Sequence, residues 1–140
     1  MSGSIGNLYR IYGNQDAEQL IKAEKYLNVS LEIAKIESES LKEMITLIRI
    51  GEVYKYKFQH QKALQLFYEA LTICKYRKHE TYLDFVYQHL GKCYLEMQDY
   101  KSAQHYFQRA YTLRQQKGDG TLLNSTLKAQ VLCKQLMMIE

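Results

Sequence analysis

Proline is absent from this 140-residue chain, glycine occurs seven times and cysteine three times. Without proline, nothing locks φ or removes a main-chain donor inside a helix, so long helical stretches can run uninterrupted. The glycines fall mainly at predicted ends and breaks. No run of about 18 apolar residues exists, which excludes a membrane-spanning helix. The opening residues, Met1-Ser2-Gly3-Ser4, lack a basic stretch followed by an apolar core, so a flexible leader is expected and not a secretory signal. The cysteines, Cys74, Cys93 and Cys133, form no Cys-x-x-Cys, and no nearby histidine pair completes a zinc set. Each falls in a helical pattern, where a free thiol packs as a small apolar group, and a reduced, cytoplasmic protein is expected.

Excess charge is also small. Nineteen Lys and Arg against fifteen Asp and Glu leave a formal charge of +4. Tyr54-Lys55-Tyr56-Lys57-Phe58 and Lys75-Tyr76-Arg77-Lys78 interleave bases with aromatics, as a surface for single-stranded nucleic acid would. Both segments sit where helices are expected to end, and basic residues there oppose the negative end of the helix dipole. No stripe of Arg and Lys continues along a helix, so neither nucleic acid nor a membrane is expected as partner.

What the sequence has is a repeat. Gly51, Tyr54, Ala63, Phe67 and Ala70 are matched forty positions later by Gly91, Tyr94, Ala103, Phe107 and Ala110. A repeat of this length, with helical periodicity on each side of a short break, signals stacked supersecondary units. Met44, Leu47, Gly51, Tyr54 and Phe58 share one helical face between Leu41 and Phe58, and a break follows at Gln59-His60-Gln61. Ala63, Leu66, Phe67, Ala70, Leu71 and Cys74 then line a return helix. Its small residues let two backbones approach, while Tyr54 and Phe67 fill the remaining gap. Gly51 marks a close crossing, because glycine inside a helix costs about 1 kcal/mol relative to alanine and needs a packing reason.

The second pair runs from Tyr82 to Met97 and back along Ala103, Tyr106, Phe107, Ala110 and Leu113, with Asp99 as N-cap. Gly118-Asp119-Gly120 stops the return helix, and Thr121 caps a last helix reaching about Met138. That helix is expected to bury Leu123, Leu127, Val131 and Leu132 and to keep one wet face, sealing the array. Upstream, Ala23, Leu27 and Ser30 keep the register of the return helices, so Gln15 to Ile36 closes a first unit. A short helix over Ile5 to Tyr12 would open it, with an irregular turn around Tyr12-Gly13-Asn14. Seven helices and no sheet are predicted.

These residues resemble the tetratricopeptide repeat family. Its motif appears as Leu47, Ile50, Gly51, Tyr54, Ala63, Phe67, Ala70 and again as Tyr87, Leu90, Gly91, Tyr94, Ala103, Phe107, Ala110. Two departures stand out. The repeat interval is forty where about 34 is usual, and the usual proline near its end is replaced by Lys75 and Gln115. Longer helices absorb the extra length. The resemblance implies an all-α, right-handed superhelix of antiparallel helix pairs. One domain over residues 1–140 is expected, with units about 5–40, 41–78 and 81–117 and a capping helix about 121–139.

No chemistry is legible. His60, His79, His89 and His105 make no His-x-x-x-His or His-Glu pair on a helical face, and Glu37, Glu39 and Glu43 read as solvated charge. Glycine-rich phosphate loops, nucleophile elbows and paired aspartates for a metal are all missing. No enzyme activity, metal or cofactor is expected.

The resemblance places partner binding in a concave groove lined by the first helix of each pair. On one unit the groove face carries Ile45, Ile48, Glu52, Lys55 and Tyr56; the next contributes Phe85, Gln88, His89, Lys92 and Glu96. Exposed apolar surface at Ile45 and Ile48 would suit an extended or helical peptide. The other reading is that the N-terminal segment or a second copy covers them. With Ile48, Glu52 and Gln88 at positions where some such modules grip a terminal carboxylate, only Lys92 remains as a basic candidate, which argues against a chaperone-tail clamp. The leading expectation is a protein-binding adaptor or scaffold. A ligand-sensing part of a larger signalling protein and a self-associating module, as a homodimer for example, are the alternatives.

Overall fold

A computed structural model describes residues 14–139, with side chains from residue 17 onward. The expected opening helix over Ile5 to Tyr12 lies outside the described residues. Six α-helices follow in order: α1 (Asn14–Ile36), α2 (Ser40–Tyr56), α3 (His60–Tyr76), α4 (Leu83–Glu96), α5 (Tyr100–Lys117) and α6 (Gly120–Ile139). A 3-10 turn at Glu80–Tyr82 leads into α4, and no strand occurs among the described residues. The helices group into two compact units, Met1–Lys78 and His79–Glu140.

The turns set the spacing. Ser38, Phe58, Lys78, Gln98 and Gly118 all have positive φ, between 55° and 73°, and they recur at every twentieth position. Each reverses the chain by placing one residue in the left-handed region. After three of the helices the amide that follows closes a hydrogen bond to a carbonyl one helical turn or more behind it: Glu39 to Ala34, Gln59 to Tyr54 and Asp99 to Tyr94, at 2.8–3.0 Å. That closure satisfies carbonyls which would otherwise be orphaned at a helix end. Phe58, expected on the inner face of its helix, is instead the turn residue after α2 and is 74% exposed.

In the first unit, α2 lies between α1 and α3. Leu20, Leu27, Leu31 and Ala34 form the buried stripe of α1. The Tyr54 hydroxyl donates to Glu24 Oε2 at 3.0 Å, and Lys57 Nζ pairs with Glu24 Oε1 at 2.8 Å, tying α2 to α1. The Lys57 hydrogen bond is the main reason the Glu24 carboxyl is held below its ordinary range. Burial, and then the bond to Glu24, push the Tyr54 hydroxyl up. On the other side, a Cβ added to Gly51 would stand 2.5 Å from Phe67 Cε1. The two backbones approach until the phenylalanine ring occupies the glycine's missing side chain.

The second unit repeats this contact, with Gly91 set against Phe107 at the same 2.5 Å. Tyr106 of α5 stacks on Tyr94 and Tyr87 of α4, with ring centroids 5.7 and 6.0 Å away. The expected cap is present: Asp99 Oδ1 accepts from the Ser102 amide, and Oδ2 from its hydroxyl. The last helix is capped by Asp119 and not Thr121, since Asp119 Oδ1 accepts from the Leu122 amide and its carbonyl from Leu123.

The packed side of α6 also differs from expectation. Thr126 and Cys133 are its buried residues, whereas Leu127, Val131 and Leu132 are 38–53% exposed. Register supplies the reason. Cys133 lies forty positions after Cys93 and eighty after Val53, and Thr126 follows Val86 and Thr46 at the same intervals. The last helix therefore repeats the inner side of a first helix, and the face that α3 or α5 covers in the earlier pairs stays open. Burial pushes the Cys133 thiol up, and all three cysteines are buried as free thiols.

One polar cluster locks α6 in place. Asp84 of α4 is paired with Arg114 Nε of α5 at 2.8 Å and with Lys117 Nζ. Arg114 Nη1 donates to the Thr126 hydroxyl at 2.9 Å, and that hydroxyl donates to Gln88 Oε1 at 3.0 Å. Asp84, Gln88 and Arg114 are each 4% exposed or less. Burial alone would raise the Asp84 carboxyl, but hydrogen bonds and charge from Arg114 and Lys117 outweigh it and hold it below the ordinary value. Forty positions earlier the same places carry Met44, Ile48 and Cys74, all buried. One repeat fills this site with apolar groups and the other with an ion pair.

Gln98→Gly removes the strain of a side chain at positive φ and should stabilise the protein by about 1 kcal/mol, read as a higher melting temperature; a lower one would contradict the turn geometry. Asp84→Asn leaves Arg114 buried without its counter-charge and should cost about 3 kcal/mol in urea unfolding. Because the folded carboxyl is depressed, the pair's contribution is present above the ordinary carboxylate pKa of 3.8 and is lost as pH falls below it. Installing the apolar set of the first repeat (Asp84→Met, Gln88→Ile, Arg114→Cys) should recover most of that stability at every pH; no recovery would mean the site tolerates only the ion pair.

Candidate partner-binding site

The ten expected groove residues lie five on α2, in the first unit, and five on α4, in the second. On α2, Ile45 and Tyr56 are half-buried, while Glu52 and Lys55 are buried. Ile48 is only 1% exposed, which corrects the expectation of open apolar surface there. A helix packed between two others buries more than one stripe: α2 lies between α1 and α3, and nine of its 17 residues are buried. Ile45 borders a depression of about 430 Å³ together with Tyr26 and Ile33 of α1 and Arg49 of α2.

On α4, Phe85 is 37% exposed, and its ring meets His89 edge-on at 4.6 Å between centroids. Lys92 and Glu96 are exposed further along the helix. Gln88 and His89 are buried. The Gln88 oxygen is committed to Thr126, and its buried amide nitrogen has no hydrogen-bond partner among the described residues. The structure thus divides the candidates by access: Ile45, Tyr56, Phe85, Lys92 and Glu96 are at least partly exposed, and Ile48, Glu52, Lys55, Gln88 and His89 are buried. Ile45 and Phe85 are separated by one full repeat interval, so the same register position presents an apolar side chain in both pairs.

Two features escaped the sequence reading. The Asp84–Arg114 pair joins α4 to the far end of α5, at positions that are apolar in the other repeat, so no local pattern reveals it. Lys101, His105 and Arg109, however, fall at every fourth position along α5, a basic line that was legible but overlooked because its members are not adjacent in sequence. They open, with Lys134 of α6, onto a cleft of about 680 Å³ between these helices. Among the described residues no group of three His, Cys, Asp or Glu could hold a metal ion, and no helix is long and apolar enough to cross a membrane.

The helix pairs, their interlocking glycine and phenylalanine, and their regular interval agree with comparison to known proteins. A family model described as tetratricopeptide repeat matches residues 10–76 and 44–116. The chain is 30% identical over 133 residues to the outer dynein arm-docking complex subunit 4 of Mus musculus, covering 94% of this chain and 20% of that protein. The proteins of the same name from Bos taurus and Homo sapiens are each 29% identical over 133 residues, of which the match covers 19% of their length and 94% of this chain. The chain thus spans about one fifth of the curated relatives it matches. On these grounds the chain belongs to the tetratricopeptide repeat family, whose stacked helical pairs serve as protein-binding scaffolds.

Proposed function

We propose that this chain is a non-enzymatic docking module that holds a peptide or protein segment on the faces of its first helices, α2 and α4, in the concave groove that the family's architecture provides. The observation that carries the reading is the recurrence of a reachable apolar residue, Ile45 and then Phe85, at one register position. Tyr56, Lys92 and Glu96 flank these anchors with polar and aromatic groups, giving the mixture of apolar centre and polar rim that protein interfaces use. The buried side chains beneath them, Gln88 among them, fix the helix surface without meeting the ligand. The name of the relatives, a docking-complex subunit, supports a protein as the partner. No cofactor, metal or covalent step enters the reading, which treats residues 1–140 as one cytoplasmic domain.

The test is the solution mass by light scattering over a range of concentrations, made on the chain and on its Phe85→Lys variant. We expect a monomer, and we expect Phe85→Lys to cost less than about 1 kcal/mol, as a substitution outside the core does, while abolishing capture of the partner. Ile48→Lys, by contrast, should cost several kcal/mol, because it buries a charge in place of a core side chain. A stable dimer that Phe85→Lys dissociates would instead assign this surface to self-association.

A further inference from the structure

The charge of the chain is unevenly placed. Between Tyr100 and Ile139 the cations are Lys101, Arg109, Arg114, Lys117, Lys128 and Lys134, and Asp119 is the one acidic residue. Asp84 engages two of them, Arg114 in the interior and Lys117 at its edge, and offsets one of their two charges. Three of the remaining four, Lys101, Arg109 and Lys134, converge on the cleft of about 680 Å³ between α5 and α6, where His105 joins them. Among the described residues no carboxylate lines this cleft. The acidic residue nearest in sequence, Asp99, is engaged by Ser102 at the start of α5. Lys101 and Lys134 have no ion-pair partner among the described residues. Gathering like charges around one concavity raises its potential and concentrates anions there.

We infer that the α5–α6 cleft is a second docking surface, one that takes an acidic segment of a protein partner. The remainder of its lining favours a peptide over a nucleic acid. Gln104, Gln108 and Gln130 present amides that both donate and accept, which suits the alternating N–H and C=O of a main chain; Gln130 Nε2 already donates to Gln108 Oε1 at 3.2 Å across the cleft. Arg109 is oriented by its Nε donation to His105 Nε2 at 3.1 Å and by the Tyr87 ring, 5.7 Å away. Leu127, 38% exposed, supplies an apolar contact, so acidic residues interspersed with leucine fit best. Tyr111 and His105 are the aromatic rings of the described lining, and the His105 ring is already held by Arg109 and Tyr106, which leaves too few to stack successive bases. This cleft lies on α5 and α6 and uses none of the α2 and α4 residues assigned above, so the two surfaces can fail independently.

The probe is a fluorescein-labelled peptide of about a dozen residues, glutamates interrupted by leucines, followed by anisotropy with the full chain at low and physiological salt, where screening of exposed charges differs most. Oligothymidylate of equal charge is the comparison. We expect Lys101→Glu with Lys134→Glu to weaken peptide binding at least about tenfold, which is about 1.4 kcal/mol. Lys75→Glu with Lys78→Glu, an equal charge change elsewhere, should leave binding unchanged. Should the first variant misfold, spectra of the unaltered protein decide: the side-chain amides of Gln104, Gln108 and Gln130 must shift on adding peptide. Absence of peptide binding, an equal loss in both variants, unmoved glutamine amides, or tighter binding of oligothymidylate would each overturn the assignment.

Discussion

The contact between a glycine of one helix and a phenylalanine of the next is the constraint on which the remaining structure depends. Gly51 and Gly91 leave room that the Phe67 and Phe107 rings fill, and both rings are fully buried. With a ring seated in the backbone of its partner helix, the two axes cannot slide or rotate without opening a cavity or a clash. Everything else takes its register from that seat. Ala63, Ala70, Ala103 and Ala110 are small because the backbones are already close, and all four are fully buried. The turns keep one register to the interlock in both pairs: Phe58 and Gln98 follow Gly51 and Gly91 by seven residues, and Lys78 and Gly118 follow Phe67 and Phe107 by eleven.

A fixed register also decides which surfaces are available. The interlocked sides of α2 and α4 are used up, so their exposed residues lie on turns that the return helix does not cover, with Ile45 and Phe85 at corresponding places. On α6 the face that a return helix covers elsewhere carries Leu127, Val131 and Leu132 in the open. Val131 stands where glycine stands in the two earlier first helices, so a phenylalanine could not seat against α6 in the same manner. The internal ion pair has a parallel effect on charge. By consuming Arg114 and Lys117 it leaves Lys101, Arg109 and Lys134 as the cations that define the α5–α6 cleft.

Much of this was legible in the sequence, and the part that was not has a physical explanation. The pairs, the glycine crossings and the Asp99 cap rest on local or strictly periodic signals, which survive in one dimension. The turns were located by polar breaks, but the left-handed residues themselves are Ser38, Phe58, Lys78 and Gln98, none of which announces positive φ. Phe58 in particular has the side chain of a core residue, and periodicity assigned it to the wrong place. Ile48 was expected to be open because one helical pair does not need it; it is buried on a helix that packs against both α1 and α3 and buries nine of its 17 residues. Asp84 and Arg114 meet only through tertiary packing, and the apolar identity of their counterparts Met44 and Cys74 hides the site from a repeat-based reading.

The claim that the glycine–phenylalanine seat governs the fold is tested most directly by a double-mutant cycle between Gly91→Ala and Phe107→Leu, measured by urea unfolding. In the natural background the added methyl collides with a buried ring, and we expect a loss of about 1–3 kcal/mol. With Phe107→Leu in place the collision is relieved, and alanine's better helix propensity should make the same substitution neutral or stabilising by about 1 kcal/mol. A cost for Gly91→Ala that is equal in the two backgrounds would show the sites to be independent, and the seat would then not be what sets the register of the helices.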